Sequence, residues 1–95
     1  MNEKELGFNV EHACKTFGIR YYHTWNSRHS APGFPDYVIL TSHGVLYREL
    51  KADKGKLTWP QVQWINNLEE LGQDVAVWRP ADWPVRILKE LRAAE

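Results

Sequence analysis

Two carboxylates and a lysine form a pattern in this sequence that could support metal-dependent hydrolysis. Asp36 follows a proline, and Glu49-Leu50-Lys51 comes thirteen residues after it. Carboxylate oxygens are the ligands that hard divalent cations such as Mg²⁺ and Mn²⁺ prefer. A bound cation can activate water and stabilise the charge that develops during phosphodiester hydrolysis, and a neighbouring lysine can orient the water or offset that charge.

Strand geometry predicts that these residues converge. Side chains alternate between the two faces of a strand, so Glu49 and Lys51 point the same way while Leu50 points toward the core. Asp36 begins the preceding strand of a predicted hairpin, which places it at the same end of the pair as Lys51. The simpler interpretation is a salt bridge, because Glu-x-Lys on a strand and Pro-Asp at a turn are both common. The combination favours a metal site.

The elements that would position these residues follow from periodicity and turn residues. We predict a first helix over 3–17 ended by Gly18, and a last helix from an Asp82 cap through Pro84 to about Ala93. Between them we predict strands at 19–25, 36–41, 45–51 and 74–78, and a helix from a Thr58 cap to about Leu71. The order α-β-β-β-α-β-α predicts an α/β fold: one small domain over 1–95, with a mixed β-sheet flanked by helices.

The motifs resemble the VRR-NUC family (virus-type replication-repair nucleases) of the PD-(D/E)XK superfamily. The matching stretches are SRHSAPGFPDYVIL and YRELKADKGKLTWPQVQWINNLEELGQDVAVWRP. The family pattern is G-x-PD, (I/V/A)-E-L-K, a basic loop, a Gln-bearing helix and a V-x-V strand. The resemblance implies a restriction-endonuclease-like core and a Mg²⁺- or Mn²⁺-dependent DNA endonuclease of phage or bacterial replication and repair. It also implies similarity to junction resolvases, which suggests activity on branched, junction or flap DNA.

The same resemblance implies roles for five residues. Asp36 and Glu49 would be metal ligands, with the carbonyl of Leu50 completing the shell, and Lys51 would be the catalytic lysine. Gln61 matches the helix glutamine and Glu3 the acidic residue of the first helix. Helical spacing places Gln61 on the face of Trp64 and Leu68, and Glu3 on the face of Leu6 and Val10, although polar residues at helix ends often only reach solvent.

Several residues near these motifs could contact DNA. Ser27, Arg28, His29 and Ser30 precede Gly33 and could bind phosphate or form a solvated loop, with Arg28 preferred because guanidinium binds phosphate through two donors. Lys54 and Lys56 flank Gly55 beside the active strand.

Trp25 and Trp59 could stack on bases, although core or interface positions are simpler. Trp64, Trp78 and Trp83 are interpreted as core, His23 as packed rather than catalytic, and Cys14 as a buried small hydrophobe.

Composition bounds the remaining possibilities. Formal net charge is zero, yet residues 20–56 carry six Lys and Arg against three Asp and Glu, a modest positive region around the candidate acids. One cysteine excludes an intramolecular disulfide, and no apolar run or basic N-terminus suggests a membrane span or signal peptide. We expect a cytoplasmic protein of a bacterium or phage-infected host, without a small-molecule cofactor. The small core favours a homodimer.

Three functions remain open from the sequence. The first is the nuclease. The second is a DNA-junction-binding module with weak or no cleavage, which would have no need of a metal site. The third is a structural subunit that dimerises through its aromatic surface. Preferred DNA structure, sequence specificity and the choice between the two metals are not encoded in any motif.

Overall fold

The computed structural model describes residues 1–25 and 31–92. The elements are, in chain order, α1 (Glu3–Phe17), β1 (Arg20–His23), β2 (Tyr37–Thr41), β3 (Gly44–Leu50), α2 (Trp59–Glu70), β4 (Asp74–Trp78), a 3₁₀ turn (Pro80–Asp82) and α3 (Val85–Leu91). Among the described residues the sheet order is β1-β2-β3-β4, antiparallel except for the parallel β3–β4 pair. The predicted α/β fold with a mixed sheet is confirmed.

The first helix forms as its sequence predicts. The Asn2 side chain accepts a hydrogen bond from the Glu5 main-chain N–H while the Glu5 carboxylate accepts from that of Asn2, so two otherwise unpaired donors are satisfied. Gly18 ends the helix in the left-handed conformation at φ 69°, which glycine adopts without steric cost. The apolar face is buried against the sheet, and Cys14 lies fully within it as expected.

The two faces of the sheet are covered differently. One face carries the core, in which residues of β2, β3 and β4 pack with α1 and α3; its buried strand residues are Tyr37, Ile39, Leu46, Leu50 and Trp78. The opposite face carries Glu49, and α2 packs against β4. No residue within Trp59–Glu70 is fully buried, so α2 covers its side of the sheet only partly.

Arg48 departs from the family pattern, which has an aliphatic residue before the glutamate. Its side chain is buried between β3, β4 and α3, where its guanidinium donates to Asp74 Oδ1 and Glu90 Oε1, both at 2.9 Å. The Trp78 indole also donates to Glu90 Oε1, at 2.9 Å. Pairing and hydrogen bonding compensate the cost of burying this charge. The chain thus tolerates a cation directly beside Glu49 because it faces the other side of the sheet.

Two predicted elements need correction. The first strand is shorter than 19–25, since pairing with β2 extends from Arg20 to His23. Asp82 does not cap the last helix; its Oδ2 accepts from the main-chain N–H of Arg79 at 2.8 Å and closes the 3₁₀ turn. Trp83 is extended (φ −93°, ψ 137°), the backbone that a residue before proline favours, so helix α3 begins only at Val85.

The end of the predicted last helix lies partly outside the described residues, which stop at Arg92. Within the described ranges, none of the helices is long and apolar enough to cross a membrane.

Candidate active site

Asp36 and Glu49 meet at the end of the β2–β3 pair. The register pairs Tyr37 with Arg48, and one further step places Asp36 opposite Glu49. Directly opposed cross-strand residues have their Cβ atoms about 4.5–5.5 Å apart. The Glu49 carboxyl, when protonated, donates a hydrogen bond to Asp36, and Asp36 Oδ2 also accepts from the Leu50 main-chain N–H at 2.8 Å. The Leu50 main chain thus holds one oxygen of Asp36 in place beside Glu49.

The environment of Glu49 disfavours its charged form. The residue is 2% exposed, and this burial, followed by the hydrogen bond and negative charge of Asp36, raises its pKa to about 9. The positive charge of Lys51 acts in the opposite direction and the negative charge of Glu3 in the same direction. A cation placed between the two carboxylates would reverse this balance and favour the charged form.

Lys51 lies on the same strand face as Glu49, as alternation predicts. Its main-chain N–H donates to the Trp78 carbonyl at 3.1 Å and continues the parallel ladder by one residue beyond β3. In the part of the chain that the structure describes, Glu49 and Lys51 form no ion pair. The salt-bridge interpretation therefore does not describe this pair, because Glu49 hydrogen-bonds to Asp36 instead.

Gln61 lies in the first turn of α2 and faces the cleft beside the carboxylates. Together with Asp36 and Glu49 it lines a cleft of about 200 Å³. Its Oε1 accepts from the Thr58 main-chain N–H at 2.9 Å while Thr58 Oγ1 accepts from the Gln61 N–H, a capping box. Sequence reasoning found the Thr58 cap and the inward direction of Gln61, but not that one side chain serves both the helix end and the cleft.

Gly33 determines how closely α2 approaches the site. Its φ is +88°, and a Cβ at this position would lie 2.4 Å from the Pro60 carbonyl carbon. The adjoining loop is fixed to α2 by Trp64, whose indole donates to the Pro32 carbonyl at 3.2 Å. Residue 33 must therefore lack a side chain if the Pro35-Asp36 segment and the start of α2 are to face each other.

Glu3 lies on the other side of Asp36. It lines a second cleft, of about 370 Å³, between α1 and the sheet, and Asp36 lies in the wall of both clefts. The structure therefore brings Asp36, Glu49, Lys51, Gln61 and Glu3 into one region. Their catalytic and metal-binding roles remain predictions.

The donor set is compatible with a divalent cation. The described residues contain no cluster of three or more His, Cys, Asp or Glu side chains suited to a metal. Asp36 and Glu49, opposed across the β2–β3 pair, would be the side-chain ligands. Mg²⁺ commonly binds to one or two carboxylates and keeps several waters. The Leu50 carbonyl oxygen is a further possible metal ligand. It points to the Asp36 side of β3, where the continued register places Pro35 opposite. Proline has no N–H, so it cannot donate a hydrogen bond to this carbonyl.

The predicted DNA contacts divide into two groups. Lys54 and Lys56 are exposed in the segment after Lys51, a position consistent with phosphate contact. Ser27, Arg28, His29 and Ser30 lie outside the described residues.

A polar cluster that sequence reasoning missed adjoins the second cleft. Glu11 accepts hydrogen bonds from the hydroxyl groups of Tyr21 and Tyr37, and His23 Nδ1 lies 3.8 Å from its Oε2. Although burial opposes the shift, the bonds from Tyr37 and Tyr21 hold the pKa of Glu11 below its ordinary value. The His23 ring stacks on Tyr37 while its side chain is 56% exposed, so it is packed on one side only.

The tryptophans do not all lie where core packing would place them. Trp78 is fully buried as predicted, and Trp83 packs against the edge of the core. Trp64 is partly buried against the loop of Gly33 rather than in the core. Trp25 and Trp59 are 81% and 68% exposed, so a core position is wrong for both, and Trp25 lines the cleft that holds the carboxylates.

The fold is similar to that of a solved structure described as a VRR_NUC domain protein. The two chains are 20% identical with a TM-score of 0.76, and the match covers 96% of this chain and 88% of the other. Neither the comparison with protein-family models nor that with curated proteins found a match. At this identity the likeness establishes the fold, and this chain adopts the same small α/β fold with its four-stranded mixed sheet as that VRR_NUC domain protein.

Proposed function

We propose that this protein is a divalent-metal-dependent DNA endonuclease. The observation that carries the proposal is the pair of opposed carboxylates, the buried Glu49 and the half-buried Asp36, with Lys51 on the same strand face. Two acids held together in a partly enclosed cleft are costly unless a cation compensates them. Resemblance of the motifs to VRR-NUC nucleases and the VRR_NUC-like fold support the same conclusion.

Each residue would make a distinct contribution. Asp36, Glu49 and the Leu50 carbonyl would hold Mg²⁺ or Mn²⁺, which when bound supplies Lewis acidity and an activated water. The Lys51 ammonium would orient the attacking water and offset charge on the phosphate. Gln61, at the edge of the same cleft, would position the water or a phosphate oxygen by hydrogen bonding, and Glu3 would act from the neighbouring cleft.

DNA would be held mainly through its phosphates. Lys54 and Lys56 follow the active strand and are exposed, and Ser27, Arg28 and Ser30 belong to the predicted loop before Gly33. Contacts of this kind position the duplex without reading its sequence. The zero formal net charge implies that this positive region, rather than the whole surface, provides the electrostatic attraction.

The proposal includes three further properties. The protein would act selectively on branched, junction or flap DNA, would serve phage or bacterial replication and repair, and would form a homodimer. A two-fold dimer would present two such sites to two strands of a branched substrate. Light scattering tests the dimer directly: a monomer mass at tens of micromolar protein would contradict it.

Metal binding tests the ligand assignment apart from turnover. Titration with Mn²⁺ should show that Asp36→Asn binds the metal more weakly, because one ligand charge is lost while the shape is kept. Lys51→Ala should bind Mn²⁺ at least as well as wild type, because both carboxylates remain. Equal affinity for wild type and Asp36→Asn would remove Asp36 from the ligand set.

Cleavage of a panel of branched and duplex DNA, with and without Mg²⁺ or Mn²⁺, tests the function itself. Wild type should cut only with metal. A protein that binds junctions but cuts no member of the panel in either metal would instead be a junction-binding module, and one that does neither would fit a structural subunit.

A further inference from the structure

The turn that follows β3 lies against the Lys51 side chain. The chain reverses after Lys51 through a turn closed by the Gly55 N–H, which donates to the Ala52 carbonyl at 3.0 Å. A Cβ placed on Gly55 would lie 3.5 Å from the Lys51 Cδ, so the aliphatic part of the lysine runs against this turn. The position of the turn therefore limits the directions that the Lys51 ammonium can take.

The turn is held in place by Arg79, which follows the last residue of β4. Its Nη1 donates to the Ala52 carbonyl at 2.6 Å and to the Gly55 carbonyl at 2.7 Å, with a longer contact of 3.4 Å to the Asp53 carbonyl. The two short bonds account for both protons of this nitrogen, and they join the first and last residues of the turn. Charge-assisted bonds of this length are among the stronger hydrogen bonds in proteins.

Two further hydrogen bonds hold the 52–55 turn and Arg79 in place. Asp53 Oδ1 accepts from the Ala81 main-chain N–H at 3.0 Å, so a second bond joins the turn to the segment after β4. The Arg79 N–H donates to Asp82 Oδ2 at 2.8 Å within the 3₁₀ turn. Arg79 thus links the ends of the two parallel strands at the edge of the sheet where Lys51 lies.

We propose that Arg79 is a positioning residue for Lys51, acting through the 52–55 turn. This inference rests on the proposed nuclease function. A lysine side chain has several rotatable bonds, and holding its ammonium in one place costs conformational entropy. The turn restricts that freedom, and Arg79 restricts the turn. The carbonyls that Arg79 binds lie near the surface, where water can replace it, so its loss should disturb the ammonium more than the fold.

Three variants and one matched control test the proposal. Arg79→Met keeps the length of the side chain and removes the donors, whereas Arg79→Lys restores a charged donor. Gly55→Ala leaves the Arg79 side chain intact but adds a methyl group 3.3 Å from the Ala52 carbonyl oxygen and 3.5 Å from the Lys51 Cδ, so it crowds the turn as well as the lysine. Arg20→Met, on the exposed edge of β1, removes one positive charge far from the turn and controls for general electrostatics.

The single-turnover cleavage rate at saturating DNA should be measured separately from the DNA dissociation constant. Arg79→Met should lower the rate about 10–100-fold, the usual range for residues that orient an active-site group. Its dissociation constant should match that of Arg20→Met. Arg79→Lys should recover part of the rate, and Gly55→Ala should lower it. A rate for Arg79→Met equal to that of Arg20→Met would overturn the proposal, as would weaker DNA binding at an unchanged rate.

Amide hydrogen exchange examines the turn without depending on catalysis. In Arg79→Met the Gly55 amide should exchange at least about tenfold faster than in wild type, while the Leu46 amide in the middle of β3 should be unchanged. Unchanged protection of Gly55 would overturn the proposal. Absence of cleavage by wild type, with Gly55 deprotected in Arg79→Met, would instead remove the nuclease function and leave the Arg79–turn contact established.

Discussion

Replacing Glu49 by glutamine should change how the stability of the metal-free protein depends on pH. The folded-state pKa of Glu49 is raised from 4.5 to about 9, first by burial and then by Asp36. The unfolded chain therefore loses this proton near pH 4.5 while the folded chain keeps it. A stability contribution present below that pH is progressively lost as the pH rises toward 9. Glutamine has no proton to lose and should abolish this part of the pH dependence.

The size of the effect follows from the slope. Within the window the free energy of unfolding falls by at most about 1.4 kcal/mol per pH unit, so the loss between about pH 5.5 and 7.5 approaches roughly 3 kcal/mol. In a domain of this size that corresponds to a Tm lower by roughly 10–20 °C. The groups outside the site are the same in both proteins, so the difference between wild type and Glu49→Gln isolates the contribution of the coupled Asp36–Glu49 pair.

The assay is thermal or urea denaturation in a chelator at both pH values, repeated with saturating Mg²⁺. Wild type should lose stability relative to Glu49→Gln as the pH rises, and Mg²⁺ at about pH 7.5 should restore wild type far more than the variant. Parallel pH curves for the two metal-free proteins would refute the reasoning, because they would mean that the Asp36–Glu49 contact does not disfavour the charged form of Glu49.

Three further substitutions test how the site and its supports are built. Gly33→Ala should lower cleavage more than about tenfold while binding to DNA persists, because the new Cβ meets the Pro60 main chain at a φ of +88°; wild-type rates would contradict the close approach. Arg48→Met should lower the free energy of unfolding by about 1.5–3 kcal/mol in urea, since Glu90 and Asp74 lose the charged hydrogen bonds of the buried guanidinium, and a loss below about 1 kcal/mol would remove it from the stabilising network. The hydrogen bonds that lower the pKa of Glu11 stabilise the fold above its unfolded pKa near 4.5, and this stability is lost as the pH falls through the folded value. Tyr37→Phe removes one of these bonds, so the loss of stability in acid should be smaller. A Tm–pH slope below about pH 4.5 equal to that of wild type would contradict this expectation.

The elements and the centre of the site could be predicted because their signals are local. The alternation of β3 places Glu49 and Lys51 on one face, and the short β2–β3 hairpin leaves little choice of register, so Asp36 falls opposite Glu49. Gly18 predicts the end of α1 and Thr58 predicts the start of α2, and both signals are likewise local. These features depend on neighbours within a few residues or across one tight turn.

The supports of the site could not be predicted, because they join residues far apart in the sequence. Nothing near Arg79 indicates that its side chain will bind carbonyls that precede it by more than twenty positions, since the contact depends on the parallel pairing of β3 and β4. Burial of Arg48 likewise depends on where α3 packs. Trp25 is 81% exposed and lines the cleft, which its residue type alone does not indicate.

The most direct test of the account is the cleavage rate of Lys51→Ala beside wild type, on branched and duplex DNA, in Mg²⁺ and in Mn²⁺. Wild type should cut in at least one metal and not in a chelator. Lys51→Ala should still bind metal and DNA but cut about 10²–10⁴-fold more slowly, the usual cost of losing a positioned charge-stabilising or acid–base group. Cleavage by Lys51→Ala at the wild-type rate would contradict the assignment of this site.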